Sequence, residues 1–93
     1  MQINHANGTT CRIVEFEVRT LDEFADCIDV LHHETFAAAF ECAHKEIASG
    51  AIAVVIEKHT SWHGFSGYKP DRYETKLRLG NPDVLRAWEY EEN

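Results

Sequence analysis

The chain has 93 residues, 44% of them hydrophobic, enough for one cooperative core and too few for two, so residues 1–93 read as a single small globular domain. A charged fraction of 27% with 11% aromatic residues excludes a disordered chain, and the net charge of -7 becomes informative only when it is resolved by segment. No apolar run approaches the roughly 20 residues that span a bilayer, and the start MQINHANGTT has neither the basic end nor the apolar core of a signal, which predicts a cytoplasmic protein.

In chain order, Asn7-Gly8 supplies the positive φ angles of a tight hairpin turn, so a short strand around Gln2 to His5 is expected to pair with the next element. Residues 11–19, CRIVEFEVR, alternate, with Val14, Phe16 and Val18 on one side and Glu15, Glu17 and Arg19 on the other, the pattern of a half-buried strand. Thr20 and Glu23 fit a capping box, and Leu21, Phe24, Ile28 and Leu31 follow at helical spacing, predicting a helix from about Leu21 to His32. A second helix is expected from about Thr35 to Ser49, with Phe36, Phe40, Ala43 and Ile47 as its apolar stripe and Gly50 as its C-terminal cap.

AIAVVIEK is apolar on both faces and reads as a central strand covered at least partly on both sides. RYETKLRL alternates again, with Tyr73, Thr75, Leu77 and Leu79 expected to face one way and Arg72, Glu74, Lys76 and Arg78 the other. Asn81 as N-cap, Pro82 at the first helical position and Val84, Leu85 and Trp88 as a short apolar face predict a terminal helix. The order β-β-α-α-β-β-α predicts an α+β fold: an antiparallel sheet of three to four strands with helices packed mainly on one face. Cys11, Cys27 and Cys42 are widely spaced and form no C-x-x-C pair, so they are expected as reduced, mostly buried thiols.

Charge is segregated. From Thr20 to Gly50 seven acids face Lys45 alone, whereas Lys58, Lys69, Arg72, Lys76 and Arg78 outweigh Glu57, Asp71 and Glu74 between Glu57 and Leu79. Cross-strand pairing of Lys76 and Arg78 with Glu15 and Glu17 would explain part of this pattern. A basic, aromatic patch for phosphates or a carboxylate-rich partner is the alternative, with Asp22, Asp26 and Asp29 along one flank of the expected first helix as a competing acidic face.

The stretch HTSWHGFSGYKPDRY, residues 59–73, reads as a loop rich in Trp62, Phe65, Tyr68 and Tyr73, the residue types that interface centres use. His59 and His63 form an H-x-x-x-H pair, but Gly64 and the loop context argue against a helical metal site, and His32-His33 reads as favourable contact with terminal helix carbonyls. A His pair beside Lys58 could support RNA hydrolysis, yet no phosphate-cradling Gly loop, paired-carboxylate motif or nucleophile elbow accompanies it. The expectation is a protein without catalytic residues, metal or cofactor, binding its partner through Lys58, Trp62, His63, Tyr68, Lys69, Arg72, Lys76 and Arg78.

An acidic domain of this size, a strand leading into TLDEFADCI, and the absence of a targeting or catalytic signature resemble the small anti-CRISPR proteins encoded by phages. The resemblance implies a stoichiometric inhibitor in the infected bacterial host cell that binds a CRISPR surveillance complex and stops target-DNA recognition, with the basic aromatic segment then expected to meet either the guide-RNA backbone or an acidic surface of the protein subunits. No membrane and no small-molecule substrate are expected as partners. The other readings are a small regulatory module, dimeric through AIAVVI, and a metal-independent nuclease.

Overall fold

The computed structural model describes residues 11–63 and 69–92, in the order β1 (Cys11–Leu21), β2 (Cys27–His33), α1 (Phe36–Ala48), β3 (Ala53–His63), β4 (Arg72–Gly80) and α2 (Pro82–Glu92). The strands form one antiparallel sheet in the order β2-β1-β3-β4. The α+β class and four-stranded antiparallel sheet agree with the sequence reading. The expected strand at Gln2 to His5, its Asn7-Gly8 turn, Phe65 and Tyr68 lie outside the described residues.

The helix expected from Leu21 to His32 is instead a hairpin. Asp22 accepts through Oδ1 from the backbone N–H groups of Phe24 (2.9 Å) and Asp26 (3.0 Å), an Asx turn competing with the helix cap, and Ala25 takes a positive φ of 65°. The chain then pairs back on β1, from Leu21↔Cys27 to Phe16↔His33. Local spacing favoured a helix, but a strand satisfies the edge hydrogen bonds of β1 from Phe16 to Leu21. Phe24 and Ile28, assigned to an apolar helix face, are consequently 72% and 63% exposed. Asp22, Asp26 and Asp29 fall in a turn and an edge strand, so the helical line of acids does not exist.

The remaining helices start where expected. Thr35 caps α1, accepting from the Ala38 N–H, and Asn81 Oδ1 accepts from the N–H groups of Asp83 and Val84 at the start of α2. Gly50 ends α1 with φ 105°, its N–H on the Ile47 carbonyl. On α1 the fully buried residues are Ala39 and Ala43, whose small side chains let the helix approach the sheet, while Phe36 and Phe40 ride half-exposed at its flank.

Helices cover both faces, which corrects the one-sided packing expected. Val18, Val54 and Ile56 pack under α1 with Ala39 and Ala43; Leu21, Ala53 and Val55, from the opposite face, pack under α2 with Val84 and Trp88. The reason lies in Ala53–Ile56, buried on both sides in the central strand, so that each face must be covered. Since β3 is hydrogen-bonded to both β1 and β4, it has no free edge through which AIAVVI could pair with a second copy.

A bulge in β4 reassigns its faces. Ile56 pairs with Leu77 but Glu57 pairs with Thr75, leaving Lys76 as the extra residue. Leu77 and Leu79 therefore join the α1 core, whereas Thr75 and Tyr73 turn to the other face beside Glu57 and His59. The continuous alternation expected along β4 is broken at this point.

The cysteines are all free, as expected of reduced thiols, but less buried than expected: Cys27 is exposed, and Cys11 and Cys42 are half-buried. Burial pushes the Cys42 thiol up, and nearby Glu46 adds to the shift. A disulfide-exchange reagent should therefore modify Cys27 first and Cys42 much more slowly. Stopped-flow thiol titration of the protein and of Cys27→Ser checks this, the fast phase disappearing in the variant.

Candidate functional site

The pleat sorts the polar residues onto two chemically opposite surfaces. On the α1 side, beyond the end of the helix, Arg12 of β1, Lys58, Thr60 and Trp62 of β3, and Arg72 and Glu74 of β4 line a groove. Lys58 also borders an adjoining depression lined by Phe16, Phe36 and Lys76. Lys69 Nζ lies 4.8 Å from the centre of the Trp62 ring and Arg72 Cζ 5.9 Å from it, so the half-buried indole organises two cations at the rim.

Five of the nine Lys and Arg residues lie around this groove and Trp62. The other four are engaged with carboxylates: Arg19 with Glu17, Lys45 with Glu41, Arg78 with Glu89 and Arg86 with Asp83. Within the groove Lys76 pairs with Glu74 at 2.8 Å, while Arg12, Lys58 and Arg72 make no ion pair among the described residues. Lysine hydrogen bonding and charge hold the Glu74 carboxyl below its usual range.

The structure thus brings together Lys58, Trp62, Lys69, Arg72 and Lys76 of the expected partner-binding set. Arg78 is on the opposite face, tied to Glu89 at 2.6 Å, and His63 is an exposed residue beside Ser61 on that same opposite side. Tyr68 lies outside the described residues. Lys76 and Arg78 do not pair with Glu15 and Glu17, since β3 separates β4 from β1. Arg12 was missed because its neighbours in the groove are set by the β1–β3 register, which places it across from Trp62.

The second surface is the part of the α2-side face that α2 leaves uncovered. Residues 59–63 belong to β3, not to a loop, and the β1–β3 register sets Glu15 opposite His59 and Glu17 opposite Glu57, while the β1–β2 register sets Glu17 opposite His32. His59 Nδ1 lies 3.3 Å from Glu15 Oε1 and 3.4 Å from Glu17 Oε2; its Nε2 is 2.8 Å from Asp71 Oδ2. The imidazole stacks on Tyr73 with ring centres 4.4 Å apart and 3° between planes. Arg19 binds Glu17 Oε1 through Nε and Nη2, and Thr75 donates to Glu57 Oε2 at 2.6 Å.

Burial by itself would lower the His59 pKa, but hydrogen bonds to Asp71 and Glu15 and the charge of Glu17 outweigh it, leaving the group above its ordinary 6.5. Its contribution to stability is fully present below about pH 6.5 and is lost as pH rises through the higher folded-state value. Glu15, Glu17, His32 and Asp71 were not recognised as one cluster in the sequence. The alternation did place both glutamates on the polar side of β1, but only the cross-strand register reveals the histidine opposite them.

The molecule is therefore a ββαββα domain whose four-stranded sheet carries an uncovered basic groove on one face and a carboxylate–histidine cluster on the other. Compared with family models, with characterised proteins and with solved structures, the chain matches none.

Proposed function

We propose that this chain is a non-enzymatic binding protein that lays its basic groove along the phosphate backbone of an RNA-containing partner. The observation that carries the reading is the contrast between Arg12, Lys58 and Arg72, which make no close ion pair among the described residues, and the four paired cations outside the groove. In a chain of net charge -7, a surface on which Arg12, Lys58, Lys69, Arg72 and Lys76 outnumber Glu74 creates a local field that attracts phosphate while the acidic remainder repels it. The partner proposed is a bacterial CRISPR surveillance complex, met through its guide-RNA backbone and adjoining protein, with inhibition of target-DNA recognition as the consequence. Size, acidity and the segregated charge support that choice.

A nuclease reading is weaker because consecutive residues of a strand point to opposite faces: Lys58 lines the groove and His59 turns away from it, so the imidazole is not placed to act on a phosphate held by the lysine.

The test is fluorescence anisotropy with a mixed-sequence single-stranded RNA, followed by competition with a reconstituted surveillance complex. Each important cation is expected to contribute about 1 to 3 kcal/mol, so Lys58→Glu, Lys69→Glu and Arg72→Glu together should weaken RNA binding at least about 100-fold with an unchanged circular dichroism spectrum. Arg86→Glu, on α2, should bind as the parent does. Equal losses in both proteins, or no loss in the triple variant, would refute the groove; RNA binding without inhibition of the complex would refute only the choice of partner.

A further inference from the structure

The surface opposite the groove has a different chemistry. Three carboxylates, Glu15, Glu17 and Asp71, surround His59, with Glu57 opposite Glu17 on the same face and the Arg19 guanidinium bound to Glu17. The cluster is buried at its centre and open at its rim: Glu17 is 4% exposed, Glu57 5% and the His59 side chain 15%, whereas the Glu15 and Asp71 side chains are 31% and 48% exposed. Such buried negative charge is costly unless a cation or proton offsets it.

The orientation of His59 sharpens the point. Ionised carboxylates only accept hydrogen bonds and both ring nitrogens face them, Nε2 toward Asp71 and Nδ1 toward Glu15 and Glu17, so a neutral ring that donates from Nε2 to Asp71 leaves Nδ1 without a proton. In the neutral ring that nitrogen is a bare lone pair facing two further lone pairs. Only a proton or a metal ion makes the arrangement attractive.

We propose that Glu15, Glu17 and His59 bind one divalent transition-metal ion of the zinc class, with Asp71 orienting the histidine and His32, beside Glu15 on the far side of β1, as the nearest further donor. One ligand atom from each of the three residues lies within 4.8 Å of the others. The Nδ1 separations of 3.3 and 3.4 Å match the ligand-to-ligand spacing of about 3.3 Å that follows from tetrahedral Zn–N and Zn–O bonds of about 2.0 to 2.1 Å. His32 Nδ1 stands 3.2 Å from the same Glu15 oxygen and 3.8 Å from Glu17 Oε2, and its side chain is half exposed and free to adjust. A carboxylate on the outer ring nitrogen is the arrangement that fixes the tautomer of a metal-binding histidine. Mixed imidazole and carboxylate donors select zinc or a neighbouring transition ion over magnesium or calcium.

Binding must displace the His59 proton, and the other titratable or charged groups facing that ring are Glu15, Glu17, His32, Asp71, Arg19, Glu57 and Tyr73. Affinity should consequently rise with pH from about 6 to 8. The experiment is equilibrium dialysis of the chelator-stripped protein against buffered Zn2+ at about pH 7.5, with metal counted by mass spectrometry and melting followed in parallel. The expected result is about one zinc per chain, with a larger rise in melting temperature at pH 8 than at pH 6. Asp71→Asn should weaken binding about 10-fold or more, and Glu15→Gln or His59→Asn further still.

His63→Asn is the control and should retain the metal. The exposed His32→Asn variant, in which folding is not at risk, should weaken binding, and Co2+ in the parent should give the visible absorption of a low-coordinate N/O site. Failure of the parent to take up stoichiometric zinc, or uptake that survives both Glu15→Gln and His59→Asn, would overturn the site and leave a protonated His59 as the bridge. Either result stands apart from the RNA groove, which occupies the other sheet face.

Discussion

Gly80→Ala is expected to be severely destabilising, with a loss of about 2 to 6 kcal/mol when positive-φ strain and backbone overpacking act together. Gly80 ends β4 opposite Ala53 with φ 107°. A Cβ there would lie 2.7 Å from the Ala53 Cα and closer still to the Ile52 carbonyl oxygen, both backbone atoms that cannot swing aside. The same carbonyl accepts the Asn81 N–H at 2.9 Å, the bond that leads the chain from β4 into α2. Gly50 provides the comparison, since its φ is 105° but nothing lies within 4 Å of an added Cβ. Gly50→Ala should therefore show the conformational strain alone. Thermal and urea melts of both variants measure the difference; comparable losses would show that close approach at Gly80 is not the determining effect.

Trp88→Ala should be the most damaging truncation in α2, costing about 3 to 5 kcal/mol. Trp88 is 5% exposed and packs with Leu21, Ala25, Ala53, Val55 and Val84, while the helix has only Val84 and half-buried Leu85 as its other main apolar anchors. A domain of this length has about 5 to 14 kcal/mol of total stability, so the substitution removes a large share of it. Loss of α2 would uncover Leu21 and Val55 and separate Arg78 from Glu89. The measurable result is a lower melting temperature with reduced helical signal, against little change in Tyr90→Ala, whose side chain is 86% exposed. A Trp88→Ala melt matching the parent would remove the claim that this indole anchors α2.

Because adjacent strand residues point to opposite faces, Lys58 and His59 contribute to different surfaces although they are neighbours in sequence. The groove can accordingly be altered without touching the carboxylate–histidine cluster. The Lys58, Lys69 and Arg72 reversals and the Glu15 and His59 replacements are thus independent tests.

Several features were legible in the sequence because they depend on nearby residues. Thr35 and Asn81 cap helices by bonding their own first turns, Gly50 adopts the left-handed ending of α1, and the apolar Ala53–Ile56 run demands cover on both sides. The concentration of cations after Glu57 likewise identified Lys58, Trp62, Lys69, Arg72 and Lys76 as neighbours.

The tertiary structure decided what local spacing leaves open. Leu21, Phe24, Ile28 and Leu31 recur as they would on a helix, yet hydrogen bonding to the edge of β1 and the Asp22 turn make β2. The bulge at Lys76 sends Leu77 into the α1 core and Thr75 to Glu57, and Arg78 leaves the basic surface for Glu89. Glu15 and His59, 44 residues apart, meet only through the β1–β3 register. Caps and hydrophobic runs are settled within a turn or two of chain, whereas a strand's partners, its register and the face of each side chain are settled by which distant backbone it hydrogen-bonds.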